Sequence, residues 1–200
     1  MARYTGPKRR LSRREGVALF SKDAPFIERK GAVAPGVHTG RSRRKPSEYS
    51  IQLREKQKTK RIYGLLEKQF ASYYTKASKA KGNTGEKMLQ LLETRLDNVV
   101  YRLGFSTSRA GARQMVSHGH IAVNGKKVTI PSFQVKPEQT VAILEKMLDN
   151  TQVRKSLETQ TTLPAWLERK ATVGKVLRVP ARDEVEQGIS EQLIVEYYSR

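Results

Sequence analysis

The chain has 200 residues, with 39 lysines and arginines against 19 acids and no cysteine. A formal net charge of +20 repels itself and calls for a polyanionic partner, nucleic acid ahead of an anionic membrane. The missing cysteines exclude disulfides and thiolate metal sites, and the three histidines, His38, His118 and His120, are too scattered to close a zinc site.

No metal and no cofactor are expected. No apolar run approaches the ~20 residues of a bilayer span, so no membrane partner is expected. The start, "MARYTGPKRR", has no apolar stretch behind its charges and does not read as a secretory signal. Apolar residues make up 37% of the chain, enough for compact cores in one large domain or two small ones.

Residues 1–45 hold 13 Lys or Arg against three acids, and "GAVAPGVHTGRSRRKP" is punctuated by Gly and Pro before a basic run. The segment reads either as a disordered tail or as a stretch ordered mainly by its partner. The second reading places a short helix near residues 9–15, with Leu11, Val17, Leu19 and Phe20 as apolar anchors. From Ser47 the chain turns helical. Ile62, Leu65, Leu66, Phe70 and Tyr73 recur at helical spacing and predict one buried stripe. Arg54, Lys56, Lys58, Lys60 and Arg61 crowd the same stretch. "SKAKGN" is a loop, and Asn83 with Glu86 fits a capping box that starts the next helix.

Leu96, Val99, Val100 and Leu103 predict an amphipathic helix with Gly104 as its C-terminal cap. "STS" at 106–108 caps the helix that follows. Its apolar face is Ala112, Met115 and Val116, and Gly119 ends it. Asn124-Gly125 is the strongest hairpin signal in the chain. A two-residue turn there pairs Val123 with Lys126 and Ala122 with Lys127, with Ile121, Val123 and Val128 on one face. "PSFQVKPEQTVAIL" reads as turn, extended piece and strand, residues 151–160 as helix, and "TVGKVLRVP" as a strand stopped by Pro180. "SEQLIVEYYSR" fits a helix through Leu193, Ile194, Tyr197 and Tyr198, or a strand through Leu193, Val195 and Tyr197. Residues 183–200 carry five acids and one Arg, so that end packs on protein, contacts a neighbour or stays solvated, and does not seek phosphate.

Arg109 and Arg113 share a stripe beside the apolar face of their helix. Ser117, His118 and His120 close that helix, and Asn124, Lys126 and Lys127 sit at the turn. Arginine offers a planar fork for phosphate oxygens and lysine a point charge. On a chain of this charge, the cluster reads as a grip on nucleic acid before it reads as a solvated face. Two alternatives stand beside an RNA-binding structural protein: an RNA-modifying enzyme and a general nucleic-acid packer. Against an enzyme, Asp97, Asp149 and Asp183 are isolated, and "GNTGEK" is no phosphate loop. Asp97 reads as a salt-bridge or solvated carboxylate. Tyr49, Tyr63, Tyr73, Tyr74 and Tyr101 fit core packing ahead of base stacking. Trp166 reads as an anchor for a loop or helix end.

"LLETRLDNVVYRLGFSTSRAGARQMVSHGHIAVNGKKVTIPSFQVKP" resembles the helix-helix-hairpin RNA-binding module of the S-four family, the fourth protein of the small ribosomal subunit. The module also occurs in pseudouridine synthases, some tyrosyl-tRNA synthetases and small heat-shock RNA-binding proteins. Here the likeness runs the whole chain. "MARYTGPK", "SRREG", "APGVHTG", "QLREKQKTKRIYGLLEKQF", "GNTGEKMLQLLE", "PAWLE" and "EQLIVEYYSR" follow in the order of bacterial-type members.

The resemblance implies an α+β fold, with a mostly helical first domain and a mixed domain built on an antiparallel sheet. Residues 1–46 would be a basic extension. Residues 47–94 would form the helical domain, completed by 183–200, and residues 95–182 the mixed domain, with the RNA-binding module at 95–145. It implies a structural, non-enzymatic constituent of the small subunit in a cytoplasmic ribosome. It also implies a primary binder of small-subunit ribosomal RNA that organises a multi-helix junction during assembly. The same likeness implies a place near the messenger-RNA entrance, a role in translational accuracy, and neighbouring small-subunit proteins, chiefly the fifth, as partners.

The candidate RNA contacts are Arg3, Lys8, Arg9, Arg10, Arg13, Arg14, His38, Arg41, Arg43, Arg44, Lys45, Arg54, Lys56, Lys58, Arg61, Arg109, Arg113, Ser117, His118, His120, Asn124, Lys126 and Lys127. Of these, Arg41, Arg43, Arg44 and Lys45 fall by likeness on the messenger path. Some family members hold zinc with four N-terminal cysteines, the first two spaced like Arg9 and Ser12. This chain has none, so other contacts must order its first 45 residues. Replacing Arg109 or Lys127 by alanine is expected to weaken RNA binding and leave the fold intact.

Overall fold

Helix starts follow the side chains that cap them. Ser47 Oγ accepts the Ser50 N–H at 3.3 Å and opens α3 (Glu48–Ile62). Asn83 Oδ1 accepts the Gly85 N–H at 2.9 Å at the start of α5 (Thr84–Glu93). Ser108 Oγ accepts the Gly111 N–H at 3.1 Å and opens α7 (Arg109–Ser117). The computed structural model describes residues 4–31, 33–36, 45–158 and 162–200. They fall into two compact units. The first is the chain up to Gly85 together with Gly188–Arg200, and the second is Glu86–Gln187.

In the first unit, α1 (Lys8–Glu15), α2 (Ala24–Lys30), α3, α4 (Glu67–Ser78) and α9 (Glu191–Tyr198) are the helices of more than one turn among the described residues. The N-terminal stretch makes protein contacts of its own. Ser12 is fully buried and donates its hydroxyl to Asp23 at 2.5 Å, Leu19 is buried, and the Glu15 carboxylate takes Arg54 at 3.3 Å and also Arg61. The position that family likeness paired with zinc ligands thus holds a buried hydroxyl–carboxylate bond. Burial lifts the Glu15 carboxyl above its ordinary value, against the pull of Arg61, Arg54 and Arg14.

The single stripe expected over residues 62–73 is broken. Gly64 adopts φ 63° between α3 and α4, so Tyr63 and Leu65 turn inward while Leu66 is 37% exposed. A helical register cannot run through a residue in the left-handed region. The C-terminal segment is a helix, not a strand. It lies on α3 through buried Ile194, a 2.9 Å bond from Gln52 Nε2 to Glu196, and one of 2.9 Å from the Ser190 N–H to Glu55. Lys56 is 3% exposed. Its ammonium sits 2.8 Å from Glu67 and 4.4 Å from the centre of the Tyr197 ring.

The second unit contains most of α5, then α6 (Leu96–Arg102), α7, α8 (Thr151–Glu158) and a five-stranded antiparallel sheet. The strands are β1 (Ile121–Val123), β2 (Lys126–Lys127), β3 (Thr140–Ile143), β4 (Leu167–Lys170) and β5 (Val173–Val176), in the order β2-β1-β3-β5-β4. The fold is α+β. The hairpin has the expected register, Ala122 opposite Lys127 and Val123 opposite Lys126, with Asn124 at φ 48° and Gly125 at φ 76°. Strand β1 lies between β2 and β3, so Ala122 is buried along with Ile121 and Val123.

Strand β4 was not legible, because "LERK" has no apolar alternation beyond Leu167. Trp166, just before it, is fully buried in the core that α6 and α7 share with the sheet. Gly174 on β5 is where Leu103 rests: a Cβ there would meet both Leu103 methyls at 2.5 Å. Leu103 is itself fully buried and has nowhere to go.

Two outcomes follow. Gly174→Ala overpacks this contact and is expected to lower stability by about 1–3 kcal/mol, read as a lower denaturation midpoint. The second concerns Glu67. Burial disfavours its charge, but hydrogen bonds from Lys56, Lys60 and Tyr198 outweigh this and bring the carboxyl down to about 2. Its folded value lies below the unfolded 4.5, so its contribution is present above pH 4.5 and lost as pH falls toward 2. In an acid titration followed by circular dichroism, Glu67→Gln is expected to flatten the loss of helix across that window.

Candidate nucleic-acid interface

Helix α7 and the β1–β2 hairpin carry the residues that the sequence put forward, and the structure sorts them into two sets. The first set faces inward. Arg109 Nε donates to Asn98 Oδ1 at 2.8 Å, its guanidinium pairs with Glu186, and it lies 4.6 Å over the Tyr101 ring. Arg113 Nε donates to Asp97 Oδ2 at 2.7 Å, and Arg95 holds the same carboxylate at 2.9 Å. Glu93, fully buried, takes Arg102 at 2.9 Å and the Asn98 amide at 2.7 Å. With side chains 15% and 12% exposed, Arg109 and Arg113 are braces within the protein rather than open forks for phosphate.

The second set faces outward. Lys126 and Lys127 are exposed on β2, and His118 is exposed at the end of α7. His120 is half-buried, its ring 6.0 Å from that of His118. Gly119 between them adopts φ 73° and turns the chain from helix to strand. Ser117 Oγ donates to the Arg113 carbonyl at 2.8 Å. Asn124 is engaged within the sheet, its Oδ1 accepting the Thr140 N–H at 2.8 Å. The knuckle is thereby tied to β3 and presents its lysines on a fixed base.

In the first unit, Lys8, Arg9, Arg10, Arg14 and Lys45 are exposed. Arg13 donates to the Val33 carbonyl at 2.8 Å. Arg54 and Arg61 share Glu15, and Lys58 pairs with Glu55 at 3.0 Å. Lys56 belongs to the core, where Glu67 and the C-terminal tyrosines hold it, so its place among outward cations is withdrawn. Arg3, His38, Arg41, Arg43 and Arg44 lie outside the described residues. Sequence reasoning passed over Lys22, Arg29 and Lys30, all exposed, of which Lys30 lies 5.8 Å over Phe26, as does Arg9 at 4.6 Å. Their signal was the charge count alone. Among the described residues, no cluster of three His, Cys, Asp or Glu could hold a metal, and no helix is long and apolar enough to cross a membrane.

Residues 3–93 match the family model of the ribosomal protein S4/S9 N-terminal domain, and residues 94–141 match that of the S4 domain. Over 209 aligned residues, covering both chains in full, the sequence is 56% identical to small ribosomal subunit protein uS4 of Dictyoglomus turgidum. It is equally similar to the uS4 of Dictyoglomus thermophilum, and 54% identical over 210 residues to uS4A of Symbiobacterium thermophilum. The chain belongs to the uS4 family.

For this uS4-family chain, Arg109→Ala is expected to keep the fold but at a cost in stability. The substitution strips one partner each from Asn98 and Glu186 and uncovers Tyr101. It is expected to cost about 1–3 kcal/mol in urea denaturation. Lys127→Ala, at an exposed position, is expected to stay within about 0.5 kcal/mol of the parent.

Proposed function

We propose that the chain is a structural component of the small ribosomal subunit that binds its ribosomal RNA directly. The observation that carries this is the sorting of charge: the buried acids are spent on internal arginines, while Lys126 and Lys127 stand exposed on an anchored turn. The named relatives, matched along their full length, are ribosomal proteins and not enzymes. Basic side chains gain affinity by releasing counterions from phosphates, so binding is salt-sensitive. A-form RNA hides its base edges in a deep groove, so shape, backbone and 2′-hydroxyl contacts dominate over base reading in its helices.

Two separately cored units, each with exposed cations, support contact with more than one RNA helix. On that ground the finer reading is a primary binder that organises a multi-helix junction during assembly. Lys45, with Arg41, Arg43 and Arg44, would approach messenger RNA near its entrance. Neighbouring small-subunit proteins, chiefly the fifth, would be contacts, with a consequence for translational accuracy. Family likeness supports these assignments.

The test is binding of the purified chain to small-subunit ribosomal RNA across a salt series, with excess transfer RNA as competitor. Saturable binding that survives the competitor at physiological salt is expected. The double substitution Lys126→Ala and Lys127→Ala should reduce the slope of log affinity against log salt by about 2. Binding abolished by transfer RNA would mean that net charge acts alone, and the reading would fall.

A further inference from the structure

A cleft of about 160 Å³ lies in the second unit, lined by α7, the helical turn at Glu145–Met147 and the start of α8. Phe105, Met115 and Val153 lie buried beneath it, and half-buried Met147 is an apolar side chain that reaches its surface. Its rim is polar, with exposed Gln114 and His118 on one side and the His120 ring set at 58° to that of His118. The chain carries +20, yet among the described residues no Lys, Arg, Asp or Glu lines this cleft.

That neutrality decides what fits. A phosphate would find no counter-charge there. A flat heteroaromatic ring would find a neutral, mainly polar lining, an amide for its edge and an imidazole for one face. The volume is well under the ~300–1,000 Å³ of drug-sized sites and suits one ring system. A second hollow of about 300 Å³ shares Ser106, Thr107 and Ser156 with it, which leaves room beside the cleft for the rest of a strand. Just past His120 the chain enters β1, whose partner strand carries Lys126 and Lys127. A strand held by those lysines therefore passes close to the rim.

We propose that this cleft receives a single unstacked RNA base, read along its edge by Gln114 and stacked on one face by His118, with His120 beside it at the rim. The proposal rests on the RNA-binding reading above and adds a base-sized site to it. It gives the protein one point of direct base contact beside its electrostatic grip.

The test uses the full chain. Each of the four ribonucleosides, then ribose, then inorganic phosphate is titrated in, while nuclear magnetic resonance follows the ring protons of His118 and His120 and the Met147 methyl. Saturable shifts at these positions are expected with at least one nucleoside and with neither ribose nor phosphate. Gln114→Ala and His118→Gln change exposed side chains, and circular dichroism checks that both variants keep the parent fold. Each should weaken nucleoside binding and lower affinity for small-subunit ribosomal RNA about tenfold, with the salt slope unchanged. No saturable shift, the same shifts with phosphate, or unchanged ribosomal RNA affinity in both variants would overturn the proposal. The nucleoside titration contains no ribosomal RNA, so it separates the two readings. If the parent chain fails to bind that RNA, the ribosomal reading falls, and with it the assignment of the base to RNA.

Discussion

Two buried carboxylates organise the second unit. Glu93 is fully buried and Asp97 is 3% exposed, and neither charge is tolerable in a protein interior without partners. Their partners come from the two helices beside them: Arg95 and Asn98 around the start of α6, Arg102 at its end, and Arg113 from α7. The angle between α6 and α7 is therefore constrained by geometry as well as by the apolar seam of Val99, Val100, Ala112 and Val116. Glu186 extends the network from far along the chain to Arg102 and Arg109. Because α7 leads directly into the hairpin, the position of the outward lysines depends on this inward set.

The first unit solves the same problem with other residues. Glu15 draws Arg54 and Arg61 to the end of α1, and Glu67 draws Lys56, Lys60 and the Tyr198 hydroxyl to the start of α4. In both units each of these acids draws one or two cations to itself, so the pairs take positive charge out of play along with negative. The excess of +20 rests mainly on the lysines and arginines outside these pairs, and those are what a polyanion meets.

Local rules carried much of the fold. The Asn124-Gly125 turn and its register, the helix start at Ser47, the Ser108 cap, and the apolar faces of α6 and α7 were all legible, because each is decided within a few residues. The orientation of Arg109 and Arg113 was not. Arg109 is turned by Glu186, 77 positions away, and Arg113 by Asp97, 16 positions away, and no helical spacing encodes either. Lys56 misled for the same reason: its neighbours in sequence are polar, but Tyr197 and Tyr198 arrive from the other end of the chain. The break at Gly64 was missed because one glycine inside a good apolar pattern reads as tolerated until its φ is known. Strand β4 depends on pairing with β5, which supplies the order that its composition lacks.

The shortness of β2 has a consequence for the molecule before it meets any partner. It is a two-residue edge strand, and both residues are exposed lysines. An open sheet edge is a template on which another chain's strand can add. Here the template is too brief to hold one, and a second copy would bring its own lysine pair against the first. The residues best placed to meet a polyanion thus also disfavour pairing of two copies through this edge of the sheet.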